Sequence, residues 1–332
     1  MEFVDLSTQE ERTHRFLEER SDASIFQTAA YAELQKSVNN QKPFCFGVEL
    51  DGELLGLIAG VTITNYTWPI SLLTSRAIIS GGPVLKEPKP EVLAFLLSSL
   101  SKTLRGQVIF TQFRNLKDWG SLIPTFEQKG FTYVAHLDIL IDLKQSEQDL
   151  IGKISKNKRK NVRKSLNKDC RFEEITDPKI YKTAIALVLD TYERAKVPAP
   201  DPSLLQTAFD QLRKKGQFIA FGVFYEKDLI GTRMELLYNG LVYDWYAGSD
   251  HRHTNKYPND FLIYHLLLWA KGEGYHTFDF GGAGKPNVPY GVRDYKMKFG
   301  GELVEYGRFD KVHNTYLYAL GKLGLKVFQL FK

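Results

Sequence analysis

The chain carries the same plan twice, and this repetition limits its fold more than any other feature. In the first half, Phe44-Cys-Phe-Gly-Val-Glu-Leu50 and Glu53-Leu-Leu-Gly-Leu-Ile-Ala-Gly-Val-Thr-Ile63 flank Asp51-Gly52, a dipeptide suited to the tight turn of a β-hairpin. Strands follow around Ala77–Ile79 and Gln107–Phe113, with a helix from Pro90 to Leu104 between them. Helices over Thr8–Arg20 and Thr28–Val38 precede the hairpin, and Phe126–Gly130 ends a helix on a glycine before a strand over Tyr133–Leu143. In the second half, Phe218–Tyr225 and Leu229–Tyr238 form a hairpin around Lys227-Asp228, and Gly231 stands where Gly56 stands in the first. A strand over Leu241–Ala247, a polar loop over Ser249–Pro258, a helix over Asn259–Lys271 and a strand over Thr277–Phe280 complete the second copy. Hairpins pair antiparallel strands and the helical crossover pairs parallel ones, so the pattern predicts two similar α/β domains with mixed sheets. The expected division is 1–150 and 151–332, the second domain opening with a basic helical connector over 151–168.

That connector holds the charge surplus. The net charge is +5, yet nine lysines and arginines stand between Lys153 and Arg171 against one acid, Asp169. The rest of the chain is net negative, which points to an anionic partner at this segment. A helix here would align Ile154, Val162 and Leu166 on one face and Lys156, Arg159, Lys160 and Arg163 on another. Two cysteines, Cys45 and Cys170, are too few for a disulfide framework and fit a reducing compartment. The acidic N-terminus lacks signal-peptide features, and no uncharged apolar run reaches the ~18 residues of a spanning helix, so the expected location is cytoplasmic.

Several chemistries are absent from the pattern. The histidines and cysteines have no zinc spacing, and neither a Gly-x-Ser-x-Gly elbow nor a Walker loop occurs. Gly281-Gly-Ala-Gly284 follows a strand, but Lys285-Pro-Asn-Val-Pro289 does not open the helix a dinucleotide fingerprint requires. These small residues either make a turn or let backbone approach a ligand.

The run from Phe218 to Gly301 resembles the FemABX family of peptidoglycan aminoacyltransferases, built from two tandem acetyltransferase-like (GNAT) domains, and acetyltransferase-domain proteins close to it. The resemblance rests on Tyr246-Ala-Gly-Ser249, Pro258-Asn-Asp-Phe-Leu262, Phe278-Asp-Phe-Gly-Gly282 and Tyr295-Lys-Met-Lys-Phe-Gly-Gly301. The connector Lys158-Arg-Lys-Asn-Val-Arg163 matches too, as do the looser Phe26-Gln27, Tyr31 and Gly81-Gly-Pro-Val-Leu85 of the first half. It implies transfer of an amino acid from aminoacyl-tRNA, or of an acyl group from another donor, to an anionic cell-wall precursor. No cofactor, metal or DNA is expected, and the basic connector would allow peripheral contact with the inner membrane face.

The resemblance makes Lys296 the catalytic residue, a cation beside a strand edge that stabilises the oxyanion formed when an amine attacks an ester carbonyl. Lys298 would then point to the opposite face of the same strand. Substrate-binding candidates are Tyr246, Asp244, Asp279, Gly281 and Gly282 around the second sheet, with Lys158, Arg159 and Arg163 on the connector. Tyr246 suits the core equally well, and Asp279 equally suits a cap for the Gly281–Gly284 turn.

The sequence departs from the family pattern at Asp201, where some members have an arginine, at Asp244, where a tyrosine occurs, and at Arg114 and Asn115, where an acid occurs. These departures bear on the acceptor more than on the reaction. An acyl-CoA enzyme acting on a polysaccharide or small amine is the alternative, but the loop Asp250–Pro258 has no glycine to cradle pyrophosphate. A silent phosphate- or RNA-binding module is the second alternative. A last basic amphipathic helix over His313–Lys332, with Tyr316, Leu320, Leu323, Val327 and Leu330 on one face, is expected to pack on its own domain.

Overall fold

The computed structural model describes residues 1–65 and 69–330, with side chains described as far as Gly324. It contains two compact units, Met1–Ala135 with Tyr306–Lys332, and His136–Glu305. No helix among the described residues is long and apolar enough to cross a membrane.

The first unit runs β1 (Glu2–Asp5), α1 (Glu10–Glu18), α2 (Ala29–Lys36), β2 (Gln41–Leu50), β3 (Glu53–Ile63), β4 (Arg76–Gly81), β5 (Val84–Leu85), α3 (Pro90–Leu104), β6 (Phe110–Asn115), α4 (Ile123–Gln128) and β7 (Thr132–Val134). The second continues with β8 (Leu137–Asp142), α5 (Glu147–Lys153), α6 (Lys156–Leu166), β9 (Arg171–Glu174), α7 (Pro178–Arg194) and α8 (Pro202–Thr207). Then follow β10 (Phe218–Tyr225), β11 (Asp228–Tyr238), β12 (Leu241–Ser249), α9 (Pro258–Gly272), β13 (Thr277–Gly282), α10 (Gly291–Lys296) and β14 (Glu302–Glu305). Finally β15 (Arg308–Val312) and α11 (Thr315–Leu330) return to the first unit.

Among the described residues the first sheet has the order β1-β2-β3-β4-β6-β15-β7, with β5 beside β3, and the second the order β14-β8-β13-β12-β11-β10-β9. Each is antiparallel apart from one parallel pair, β4 with β6 and β12 with β13, closed by the crossover helices α3 and α9. In α3, Leu93, Leu96, Leu97, Leu100 and Leu104 recur at helical spacing and are buried against the first sheet. In α9, Leu262, Leu266 and Leu267 do the same for the second.

The duplication holds to the residue. Gly56 pairs with Val48 and Gly231 with Val223, and each hairpin bulges immediately afterwards. The first turn is Asp51-Gly52, with φ of 51° and 82°; the second is Glu226-Lys227, one residue earlier than expected, with Glu226 at φ 54°.

Four expectations need correction. The run Tyr133–Leu143 is two strands: β7 pairs with β15 in one sheet and β8 with β13 and β14 in the other. The compact units therefore do not follow the cut at 150/151, because 136–150 belongs to the second and 306–332 to the first. The connector breaks at Ile154-Ser155 into α5 and α6, Ser155 Oγ accepting from Lys158 N to cap α6. Its buried stripe is Ile154, Lys158, Val162 and Ser165, while Leu166 is exposed. α11 does pack on its own unit, but through another face than expected: Tyr318 stacks on Phe110 at 5.4 Å and Gly321 lies against Leu73, whereas Tyr316, Leu320 and Leu323 are exposed. Val327 and Leu330 lie outside the described side chains.

Candidate functional site

The two parallel strand pairs differ in a way that locates a site. β4 and β6 stay paired over six positions, from Arg76↔Phe110 to Gly81↔Asn115. The end of β4 is also filled by side chains: Gln27 Nε2 donates to Gly82 O at 3.1 Å, and Ser24 Oγ donates to Gln27 Oε1 at 2.7 Å. β12 and β13 pair only over Leu241↔Thr277, Val242↔Phe278 and Tyr243↔Asp279, although β12 continues to Ser249 and β13 to Gly282. Two irregularities part them. Trp245 is an extra residue against β11, since Met234 faces Tyr246 and Glu235 faces Asp244. β13 shifts register against β8 after Asp279, with Gly281 at φ 68°.

Lys296 reaches this opening: its Nζ donates to Phe280 O at 2.6 Å. It comes from α10 and a following helical turn, Met297–Phe299, so the strand expected over Tyr295–Gly301 does not form. Gly300, at φ 86°, ends the turn; a Cβ there would sit 2.5 Å from Lys153 Cβ and 3.0 Å from its carbonyl carbon. Phe299 is buried as the anchor and Lys298 is exposed.

The helix carrying Lys296 is held by its neighbour in sequence. Tyr295 Oη donates to Asp260 Oδ1 at 2.8 Å, Lys158 Nζ donates to the same oxygen at 2.6 Å, and Asn161 Nδ2 donates to Oδ2 at 2.7 Å. Lys158 Nζ also lies 4.0 Å from the Tyr295 ring centroid. One buried carboxylate thus ties α6, α9 and α10.

The sheet supplies the charges around the lysine. Residues alternate across β11: Gly231 faces Pro258 and Leu262 of α9, and Met234 faces Tyr181 of α7. Arg233 and Glu235 therefore share the α9 side, where Arg233 forms an ion pair with Asp244. Glu235 is fully buried, and neither carboxyl oxygen has a hydrogen-bond partner. Burial raises its proton affinity well above the ordinary value, reinforced by Asp244 and opposed by Arg233 and Lys296. Asp279 is buried beside Asp138 and accepts from Gly281 N at 2.7 Å; burial and the Asp138 charge raise its carboxyl as well. Burial lowers the affinity of Lys296 for its proton, while Asp244, Asp138 and Asp279 act in the opposite direction.

Of the sequence candidates, Lys296, Asp244, Asp279, Gly281 and Gly282 gather at the opening. Tyr246 lies on the α7 side of the sheet, its ring edge-on to Tyr192 with centroids 5.8 Å apart. Lys158 is taken up by Asp260 and is not free to meet a phosphate. Arg159 is half-buried beside a hollow it shares with Gln145, Gln148 and Lys153, and Arg163 is exposed; neither belongs to the lysine cluster. Sequence reasoning passed over Arg233, Glu235, Asp138 and Asp260. The signal for the first two is a pair of opposite charges two residues apart inside the apolar run Leu229–Tyr238.

The N-terminus of α9 is poorly suited to a pyrophosphate. Pro258 brings no N–H, and the Asp260 carboxylate occupies the first turn, where the helix dipole would otherwise favour an anion. The preceding segment, expected as a loop, is a short helical stretch over His251–Lys256, capped by Asp250, whose carboxylate accepts from Arg252 N and pairs with its guanidinium.

Residues 152–297 match the family described as an acetyltransferase (GNAT) domain. No curated protein matches the chain. Among solved structures, FemX aligns with a TM-score of 0.76 at 18% identity, over 96% of this chain and 99% of that one. The L-PGS of Bacillus licheniformis aligns with a TM-score of 0.59 at 14% identity, over 94% and 96%. A tandem GNAT protein from the clavulanic acid biosynthesis pathway aligns with a TM-score of 0.59 at 9% identity, over 94% and 98%. The fold is thus a FemX-like tandem acetyltransferase fold, α/β with two mixed sheets.

Proposed function

We propose that this chain, an acyltransferase on a FemX-like tandem fold, transfers an amino acid from aminoacyl-tRNA to an amine of a peptidoglycan-precursor peptide. The observation that carries the reading is Lys296 Nζ at the mouth of the opened β12–β13 pair, bonded to Phe280 O. The acceptor amine attacks the ester carbonyl carbon, a C–N bond forms, and the carbonyl oxygen becomes an oxyanion beside the ammonium. Collapse breaks the ester C–O bond and releases the ribose hydroxyl, which takes up the proton lost by the amine. A fixed cation at the oxyanion is worth about 3 kcal/mol of barrier. The parting strands offer backbone groups of Gly281 and Gly282 to substrate, and the Asp279 carboxyl holds that turn through Gly281 N.

The exposed Lys156, Lys160 and Arg163 of α6 form the face for the donor's phosphates, with Arg159 beside it, and the same face would attract an anionic membrane surface. Lys158 serves this reading from inside, by fixing α6 to α10. An acyl-CoA donor is disfavoured by the blocked N-terminus of α9. The deciding assay offers the protein labelled aminoacyl-tRNA and a muramoyl pentapeptide precursor, with acetyl-CoA in a parallel reaction. Labelled precursor from the tRNA alone supports the reading; turnover of acetyl-CoA alone replaces it with the thioester enzyme; binding of tRNA without turnover of either donor leaves a silent module.

A further inference from the structure

Glu235 has no part in the reaction just described, yet it is the most unusual side chain beside the lysine. It is wholly buried in the middle of β11, both oxygens lack a partner, and Arg233 Nε, two residues away on the same face, lacks one too. A buried carboxyl in that condition costs stability unless something compensates it. Asp244, its neighbour across the strands, is committed to Arg233, and burial outweighs the pull of Arg233 and Lys296, so the carboxyl keeps a raised proton affinity and stays without a partner.

We infer that Glu235 is the receptor for the α-ammonium of the transferred amino acid, which makes this site selective for acyl groups with a positive charge next to the reacting carbonyl. The inference rests on the reading of Lys296 as the oxyanion group. In an aminoacyl ester the α-nitrogen is two bonds from the carbonyl carbon, so its receptor has to lie on the wall next to that cation. Glu235 stands opposite Asp244, the first residue of β12 beyond its last pair with β13, and so borders the opening that Lys296 reaches. When the donor enters, the neutral carboxyl gives its proton to solvent and the resulting carboxylate pairs with the ammonium; no other bond changes. An uncharged acyl group leaves the carboxyl unpaired, so it binds weakly.

Titration calorimetry with the twenty amino-acid amides and their des-amino counterparts, such as alaninamide and propionamide, tests this. The wild type is expected to bind at least one amide ten-fold or more tightly than its des-amino counterpart. Buffers of different ionisation enthalpy should report release of about one proton. Glu235→Gln should abolish both the preference and the release. Equal binding of amide and des-amino compound, no binding of any amide, or a preference that survives in the variant overturns the inference. Should the variant not fold, the wild-type preference and its proton release decide alone. Transfer assays separate this from the broader reading. If the wild type uses aminoacyl-tRNA, and Glu235→Gln lowers its use of free and N-acetylated donors equally, the inference fails while the reaction stands. If the wild type transfers from neither, the reaction itself falls.

Discussion

Lys296 sits between opposed influences. Burial and Arg233 favour loss of its proton, and Asp244, Asp138 and Asp279 favour keeping it; burial is the largest effect, so the balance lies below the ordinary lysine value. A group whose folded affinity is depressed loses its charge earlier as pH rises. The alkaline limb of kcat should therefore begin below the ordinary lysine range, and Lys296→Arg should move that limb upward, since a guanidinium keeps its charge. A pH–rate profile in which both proteins decline together at high pH would assign the limb to another group. The resemblance of Tyr295–Gly301 to the family signature points to Lys296, but it carries no information on the side chains around it. Strand alternation was the wrong rule for a residue at the end of α10. The burial of Glu235 and Asp279 depends on how β11, β12 and β13 assemble, which no local pattern records.

At the scale of elements, Asp260 acts as a knot. Its carboxylate takes donors from α6 and α10 while standing in the first turn of α9. Removing one partner of a buried pair leaves a charge without compensation, so Asp260→Ala should destabilise the protein by about 3–5 kcal/mol in urea unfolding. Lys158→Met breaks the same buried pair from the other side and strands the carboxylate with only the neutral donors of Asn161 and Tyr295, so it should cost a comparable amount; a loss below about 1 kcal/mol from either change would contradict the knot. The junction of β15 and α11 carries a pH response. Burial, with Lys311 and Arg105 nearby, lowers His313 from 6.5 to about 4, and its ring meets Thr111 Oγ1 at 2.8 Å. The unfolded chain therefore takes up this proton first as pH falls from about 6.5 to about 4, and stability declines over that window. Thermal denaturation of His313→Gln should show a shallower decline between those values than the wild type. The hairpins and crossover helices were readable because their turn residues and apolar spacing are local. The break of the connector was not, since Ser155 caps α6 only because Ile154 and Lys158 are drawn inward.

Across the whole molecule, the chain exchanges strands between its two sheets. β8 follows β7 directly yet sits between β14 and β13, and β15 follows β14 yet sits between β6 and β7. Nothing in the apolar run Tyr133–Leu143 marks the crossing, so a reading by eye takes it as one strand and places the boundary too late. Fragments cut at 150/151 would each lack an interior strand: 151–332 loses β8 and 1–150 loses β15. Neither should unfold cooperatively by circular dichroism, whereas 136–305, which keeps every strand of the second sheet, should. Cooperative unfolding of 151–332 would refute this exchange of strands. The two copies differ at the equivalent place. The first keeps β4 and β6 paired and filled by Gln27, and the second opens and holds a lysine at the gap. Single-turnover transfer from labelled aminoacyl-tRNA to the precursor peptide, measured for the wild type and Lys296→Ala at saturating substrates, tests that assignment most directly. The rate should fall by about 10²–10³ with substrate binding retained; a variant that transfers at the wild-type rate would show that the oxyanion is stabilised elsewhere.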